Sequence, residues 1–189
     1  MVELFEQNIR TNERQSSKGN QLKWENCGIW YKADYTGYEG LAEYIISHLL
    51  QKSTLQENEY VIYDTEQIQY KRNLYNGAKS KTFLKDDWQI VTLERLFKTV
   101  QNVSLNGMLW RIENVGDRLI FLVENVERLT GLRDFGIYMN KLLTVDTFFL
   151  NEDRHTHNIA VLMNGAGKFA YCPIFDNGAG LLSDTTMDY

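Results

Sequence analysis

The sequence predicts an α+β fold in two lobes, strand-rich around one helix in its first half and helical in its second. Three observations predict it. Short apolar runs broken by turn residues crowd the stretch before residue 84. Helical spacings dominate from Thr92 to Phe149. Near the end, the tight turn Asn164-Gly165-Ala166-Gly167 joins two β-like runs, Ile159 to Met163 and Phe169 to Phe175.

Composition permits such a core. The chain has 189 residues, enough for one ordinary domain or two small lobes around a cleft. Hydrophobic residues make up 43% and charged residues 24%, so folding rather than disorder is expected. A net charge of −5 and a pI near 5.3 argue against a general nucleic-acid surface, which needs clustered Lys and Arg. Two cysteines, Cys27 and Cys172, cannot build a disulfide framework. With no visible signal peptide, they lead to the expectation of a cytoplasmic protein, secretion as an effector remaining open. Apolar stretches such as Leu142 to Leu150 are too short for a membrane span.

In order, Asn8 to Asn20 is polar and reads as a loop. Gln21 to Ala33 reads as a hairpin turning at Glu25-Asn26-Cys27-Gly28. Gly37 to Lys52 has helical spacing at Leu41, Tyr44, Ile45, His48 and Leu49, with Glu39 and Glu43 on another face. Tyr60 to Tyr63 and Lys79 to Leu84 resemble strands, and Asn76-Gly77 marks a turn between them. A helix is expected from Thr92, then a loop at Asn106-Gly107. Arg118 to Thr130 is apolar enough for burial, and Phe135 to Phe149 is amphipathic.

The densest chemistry lies in Asn151-Glu152-Asp153-Arg154-His155-Thr156-His157-Asn158 and in Ile174-Phe175-Asp176-Asn177-Gly178. Phosphoryl transfer from ATP needs a carboxylate to take the proton of the attacking hydroxyl, oxygen ligands for Mg²⁺ and a cation on the phosphates. Asp153 and Asn158 stand at Asp-x4-Asn spacing, the spacing of a kinase base and a metal-binding Asn. If Asn158 opens the hairpin and Asp176 closes it, antiparallel pairing brings them together. Upstream, Lys32 ends an apolar run, and the following helix offers Glu43 as an ion-pair partner better placed than Glu39. Ser16-Ser17-Lys18-Gly19-Asn20 is a candidate phosphate loop. Each feature also has a plain structural reading: Asp153 as a turn cap, Asn158 as a strand start, Asp176 in a polar loop, Lys32 and Glu43 as solvated surface.

Together with Trp30-Tyr31-Lys32 and Tyr38-Glu39-Gly40-Leu41-Ala42-Glu43, these blocks resemble the HipA-like bacterial serine/threonine kinases, best their CtkA-type branch. The resemblance implies a protein-kinase-like fold related to phosphatidylinositol kinases. It implies an N-lobe over about residues 1–84 with phosphate loop and hinge, and a partial C-lobe over about 85–189. It implies ATP and Mg²⁺, with Lys32 on the phosphates, Asp153 as catalytic base, and Asn158 and Asp176 on the metal. Ser16, Ser17, Lys18 and Gly19 would form the phosphate loop, Ser16 or Ser17 being open to autophosphorylation. The hinge falls near Lys79 to Phe83. Implied partners are a protein substrate with a Ser or Thr and an antitoxin-like protein, with no nucleic acid and no membrane. Family members continue well past the metal-binding Asp, whereas this chain stops at Tyr189, so a truncated C-lobe is expected.

Other functions stay open at this stage. One is a nucleotide-binding pseudokinase or incomplete kinase without turnover. Another is a zinc-dependent hydrolase built on Asp153, His155, His157 and Cys172. A lipid kinase is a variant, disfavoured by the lack of a basic or membrane-anchoring segment.

Overall fold

The structure, a computed structural model, describes residues 1–9 and 21–187. It divides into two units. The first comprises Met1–Phe83, Asp146–Asp153 and Pro173–Tyr189, and the second Leu84–Val145 and Arg154–Cys172.

The first unit is built on a five-stranded sheet. Its strands are β1 (Val2–Leu4), β2 (Lys23–Asn26), β3 (Ile29–Ala33), β4 (Asp64–Tyr70) and β5 (Asn73–Lys81), in the spatial order β1-β4-β5-β3-β2. Neighbours run antiparallel except β1 and β4. The expected β2–β3 hairpin forms because Cys27 (φ 51°) and Gly28 (φ 77°) both take the left-handed backbone that a tight two-residue turn demands. Alternation then sorts the side chains: Trp24, Tyr31, Ala33, Ile68 and Tyr70 join Leu4 in one apolar cluster, and Trp24 meets Tyr70 edge-to-face. Lys23 and Lys32, paired across β2 and β3, take the opposite side. Helix α1 (Glu39–Leu50) packs on β4 and β5.

Two strand expectations change. Asn76-Gly77 is no turn: it lies inside β5, and the chain reverses at Lys71-Arg72 instead, with Lys71 at φ 55°. Gly77 is needed for close approach, since a Cβ there would sit 2.0 Å from the Lys32 carbonyl oxygen. Tyr60 to Tyr63 contributes only a bridge from Tyr60 to Ile174, and the strand begins at Asp64. β4 escapes a search for apolar runs because only Ile68 and Tyr70 face the core.

The second unit carries the sheet β6-β7-β8, from β6 (Trp88–Thr92), β7 (Ala160–Asn164) and β8 (Phe169–Tyr171). Its helices are α2 (Leu93–Gln101), α3 (Leu105–Leu109), α4 (Val115–Thr130) and α5 (Phe135–Phe148), the last three residues of α5 being assigned to the first unit. Side chains of Thr92, Ser104 and Asn114 cap α2, α3 and α4, and Gly131 at φ 71° ends α4. α4 is less buried than its composition suggests: Leu122 and Val126 are covered, while Val115 and Ile120 stay exposed. The β7–β8 turn falls at Asn164 to Lys168 as expected, but β8 stops at Tyr171. Pro173 offers no N–H to a ladder, and Ile174 pairs with Tyr60 in the first unit. Asp176 therefore does not close the hairpin, and pairing gives no ground for joining it to Asn158. No helix among the described residues is long and apolar enough to cross a membrane.

Candidate active site

Lys32 sits on β3 with its ammonium between two carboxylates: Nζ lies 2.7 Å from Glu43 Oε1 and 2.6 Å from Asp176 Oδ1. It also lies over the Tyr63 ring, 5.1 Å from its centre. Burial works against the charge on Lys32, but Asp176 and then Glu43 outweigh it and hold its pKa well above the ordinary lysine value. The Tyr63 hydroxyl is pushed far up as well, by burial first and the Glu43 charge second.

Three chain segments make this geometry. β3 alternation turns Lys32 away from the apolar cluster. Helix α1 supplies Glu43, which is 1% exposed, and its depth is set by Gly40, where a Cβ would lie 2.4 Å from the Gly77 carbonyl carbon. The start of α1 is fixed from both sides: Asp34 Oδ1, ahead of the helix, takes the Gly40 N–H at 2.6 Å, and Glu39, its first residue, reaches back to take the N–H groups of Thr36 and Gly37. Glu39 thus serves the helix start, and the ion-pair partner is Glu43.

The third segment brings Asp176. Ile174 donates to the Glu59 carbonyl at 2.7 Å and accepts from Val61 at 3.0 Å, which anchors the chain just before the site. Asp176 itself is left-handed (φ 62°), a conformation Asp tolerates better than most residues. The next N–H, of Asn177, donates to Glu43 Oε2 at 3.1 Å. Glu43 therefore binds Lys32 with one oxygen and the Asp176 segment with the other. Gly178 then passes close to α1, where a Cβ would stand 3.2 Å from that of Glu39. Further on, Ser183 O accepts from Tyr38 N at 2.9 Å, tying the segment to the helix start.

One residue of this cluster escapes sequence reading. Lys23, 7% exposed, stands directly across from Lys32, and its Nζ is 3.9 Å from Asp176 Oδ2. Its signal is the hairpin register: once Trp24 pairs with Tyr31, Lys23 must pair with Lys32 on the same face.

The Asp153 loop follows α5. Leu150 takes a left-handed turn (φ 54°), and Asn151 is clamped to the buried Asp146, backbone to backbone at 2.8 Å and side chain to Oδ1 at 2.8 Å. Asn151 Oδ1 then accepts the Asp153 N–H at 3.2 Å. Asp146, which sequence reasoning missed, thus fixes the approach to Asp153.

Asn158 belongs to the second unit, in a turn closed on itself: its Oδ1 accepts from His155 N at 2.8 Å, and its N–H donates to His155 O at 3.0 Å. The turn is bound to α2. Glu94 N donates to Thr156 O at 3.1 Å, and Glu94 Oε2 accepts from Thr156 Oγ1 at 3.0 Å and from Asn106 N at 2.9 Å. Glu94 had no place in the sequence reading either.

Of the sequence-predicted residues, the structure joins Lys32, Glu43 and Asp176 in one cluster. Asp153 shares their unit and Asn158 does not. Ser16, Ser17, Lys18 and Gly19 lie outside the described residues. Of the expected hinge, residues 79–81 end β5 and Thr82 donates to Gly28 O at 2.8 Å. The zinc reading finds no support, because no group of three or more His, Cys, Asp or Glu among the described residues is arranged to hold a metal. The N–H of His157 instead donates to His155 Nδ1 at 3.2 Å.

No protein-family model matches the sequence, and no curated protein does. Among solved structures, the Helicobacter pylori proinflammatory kinase CtkA matches with a TM-score of 0.62 at 18% identity. The match covers 98% of this chain and 63% of that one, so the chain spans under two thirds of its neighbour's length. The likeness shows a kinase-like mixed α/β fold.

Proposed function

We propose that the chain is an ATP-dependent serine/threonine protein kinase of HipA-like type, able to phosphorylate itself. The observation that carries this is Lys32 held between Glu43 and Asp176. A lysine on a strand, a glutamate on the next helix and a distant aspartate are what phosphate binding and metal binding in a kinase require. The fold likeness to a kinase adds to it.

In this proposal Lys32 neutralises phosphate oxygens, with Glu43 fixing its position. Asp176 and Asn158 are the proposed Mg²⁺ ligands, and their hard oxygen donors suit that ion. Mg²⁺, when bound, draws charge from the phosphate oxygens. Asp153 orients a Ser or Thr hydroxyl and accepts its proton as the oxygen bonds to the γ-phosphorus. The bond from that phosphorus to the bridging oxygen breaks, and ADP departs.

Autophosphorylation with radiolabelled ATP tests this. Asp153→Ala should retain Mg-ATP binding and lose transfer by about a hundredfold or more. Asp176→Ala should weaken Mg-ATP binding itself. Unchanged labelling of Asp153→Ala would remove that residue from the chemistry. A second reading is nucleotide binding without turnover, for which Lys32, Glu43 and Asp176 would suffice. Mg-ATP binding with no label incorporated would select it.

A further inference from the structure

We propose that the outer face of helix α1, with the groove beside it, is a docking surface for a basic amphipathic helix of another protein. The inference goes beyond the kinase reading and does not rest on it.

The surface is apolar along the helix. Tyr38, just ahead of α1, and Leu41, Ile45 and Leu49 within it follow at steps of three and four residues and so share one face. Tyr38 (60%), Leu41 (47%) and Leu49 (50%) are exposed, and Ile45 is half-buried. Scattered exposed apolar residues are ordinary, whereas a continuous row of them is what a partner helix packs upon. Where the row begins, a groove of about 410 Å³ opens between Tyr38 and Leu41 on the helix side and Thr65, Gln67 and Asn76 on the sheet side, with Asp34 also in its wall. The side chains of Thr65, Gln67 and Asn76 make no hydrogen bond among the described residues, which leaves the groove a polar rim able to receive one. All of these residues belong to the first unit.

Charge selects the occupant. The twelve residues of α1 include no Lys or Arg, and the groove is lined by two carboxylates, Asp34 and Glu66, and by no basic residue. Glu66 is held by Lys79 and by the amine of Met1. Asp34 gives Oδ1 to the Gly40 N–H, and its Oδ2 has no partner among the described residues. Burial disfavours its charge and the nearby Glu39 adds to that, against the Gly40 bond, so a cation reaching Oδ2 would be welcome. A Lys or Arg side chain can lay its apolar stem on Leu41 while its head meets Asp34, and an Arg can also stack on the Tyr38 ring. A partner helix of about three turns matches the length of α1, about 18 Å. A second copy of this chain would set the same acidic surface against itself, and nucleic acid or an anionic membrane would be repelled by it.

The test uses the full chain and two labelled synthetic helical peptides. One carries leucines at steps of three and four bordered by arginines, and the other is identical with each arginine replaced by glutamate. Fluorescence anisotropy should show the basic peptide binding at least about tenfold tighter than the acidic one. Leu41→Gln and Asp34→Asn should each weaken the basic peptide about tenfold, the asparagine still offering an acceptor to the Gly40 N–H so that α1 keeps its start. Amide NMR of wild type should show the basic peptide shifting the Gly40 and Asn76 resonances, an arm that needs no variant to fold. A basic peptide that leaves both resonances in place, or binds folded variants as tightly as wild type, sits elsewhere and overturns the proposal. So does the absence of binding at millimolar peptide. Wild type that self-associates in sedimentation, and no longer does so as Leu41→Gln, would assign the face to a second copy and overturn it as well.

Discussion

The first unit places four charges, on Lys23, Lys32, Glu43 and Asp176, on one largely buried side of a sheet and joins segments far apart in sequence. The second unit holds its turn at His155 to Asn158 by hydrogen bonds, some within that turn and others from Glu94 of α2, whose backbone N–H and carboxylate both reach Thr156. In the first arrangement Glu43 and Asp176 each serve Lys32, and losing one charge strips a buried neighbour of a partner, which is far costlier than the pair. The second is graded: each contact is a separate hydrogen bond, and the loss of one leaves the others in place. A site that exchanges partners as a ligand enters needs the first kind of arrangement, and a loop that holds its shape needs the second.

The strongest way to break this comparison is Glu43→Ala. Glu43 is 1% exposed and serves both Lys32 Nζ and Asn177 N. Its removal should cost about 3–5 kcal/mol, the range for deleting one partner of a buried ion pair. Urea unfolding measures it. A loss below about 1 kcal/mol, the level of an exposed pair, would mean that Lys32 and Asn177 do not depend on Glu43.

A smaller effect, of opposite sign to simple propensity, is expected at Gly40. Alanine in a helix is ordinarily favoured over glycine by about 1 kcal/mol. Here the added Cβ would lie 2.4–2.7 Å from backbone atoms of Gly77, which cannot move aside as a side chain end can. Overpacking of that kind costs about 1–3 kcal/mol. Gly40→Ala should therefore destabilise the protein and move Glu43, one turn on, away from Lys32. A variant that melts higher than wild type would show that α1 has room to shift and that the Lys32–Glu43 distance is not set by this contact.

The two arrangements also differ in how far the sequence discloses them. The order Lys32, Glu43, Asp153, Asn158, Asp176 stands out as spaced polar residues beside apolar runs, and the β2–β3 turn announces itself at Cys27-Gly28. Lys23 is hidden because its role depends on cross-strand register, which no run of residues states. Gly77 misleads because a glycine serving close approach looks the same in sequence as a glycine serving a turn. β4 is obscured by its polar outward positions, and the departure of the chain at Pro173 breaks a hairpin that apolar patterning alone would extend to Phe175. Asp146 and Glu94 are invisible for a further reason: their partners, Asn151 and Thr156, are fixed by where a helix end and a loop meet in space.

The finest test falls on Glu94 and sharpens the graded side of the comparison. Burial favours the protonated form of Glu94, but hydrogen bonds from Asn106, Ser104 and Thr156 outweigh it and hold the carboxyl below its ordinary value of 4.5. Because the folded pKa is the lower one, the unfolded chain binds more protons between the two values. The stability contributed by Glu94 is thus complete above pH 4.5 and is lost as pH falls through the folded pKa. Glu94→Gln keeps an acceptor and the shape but removes the charge, so it should cost about 1–2 kcal/mol at neutral pH. The gap between wild type and variant should narrow as the pH is lowered below 4.5, whatever other carboxylates contribute to both. Urea unfolding of the two proteins across that range reads the difference directly. A gap that stays constant with pH would show that the charge of Glu94 adds nothing to its hold on the turn.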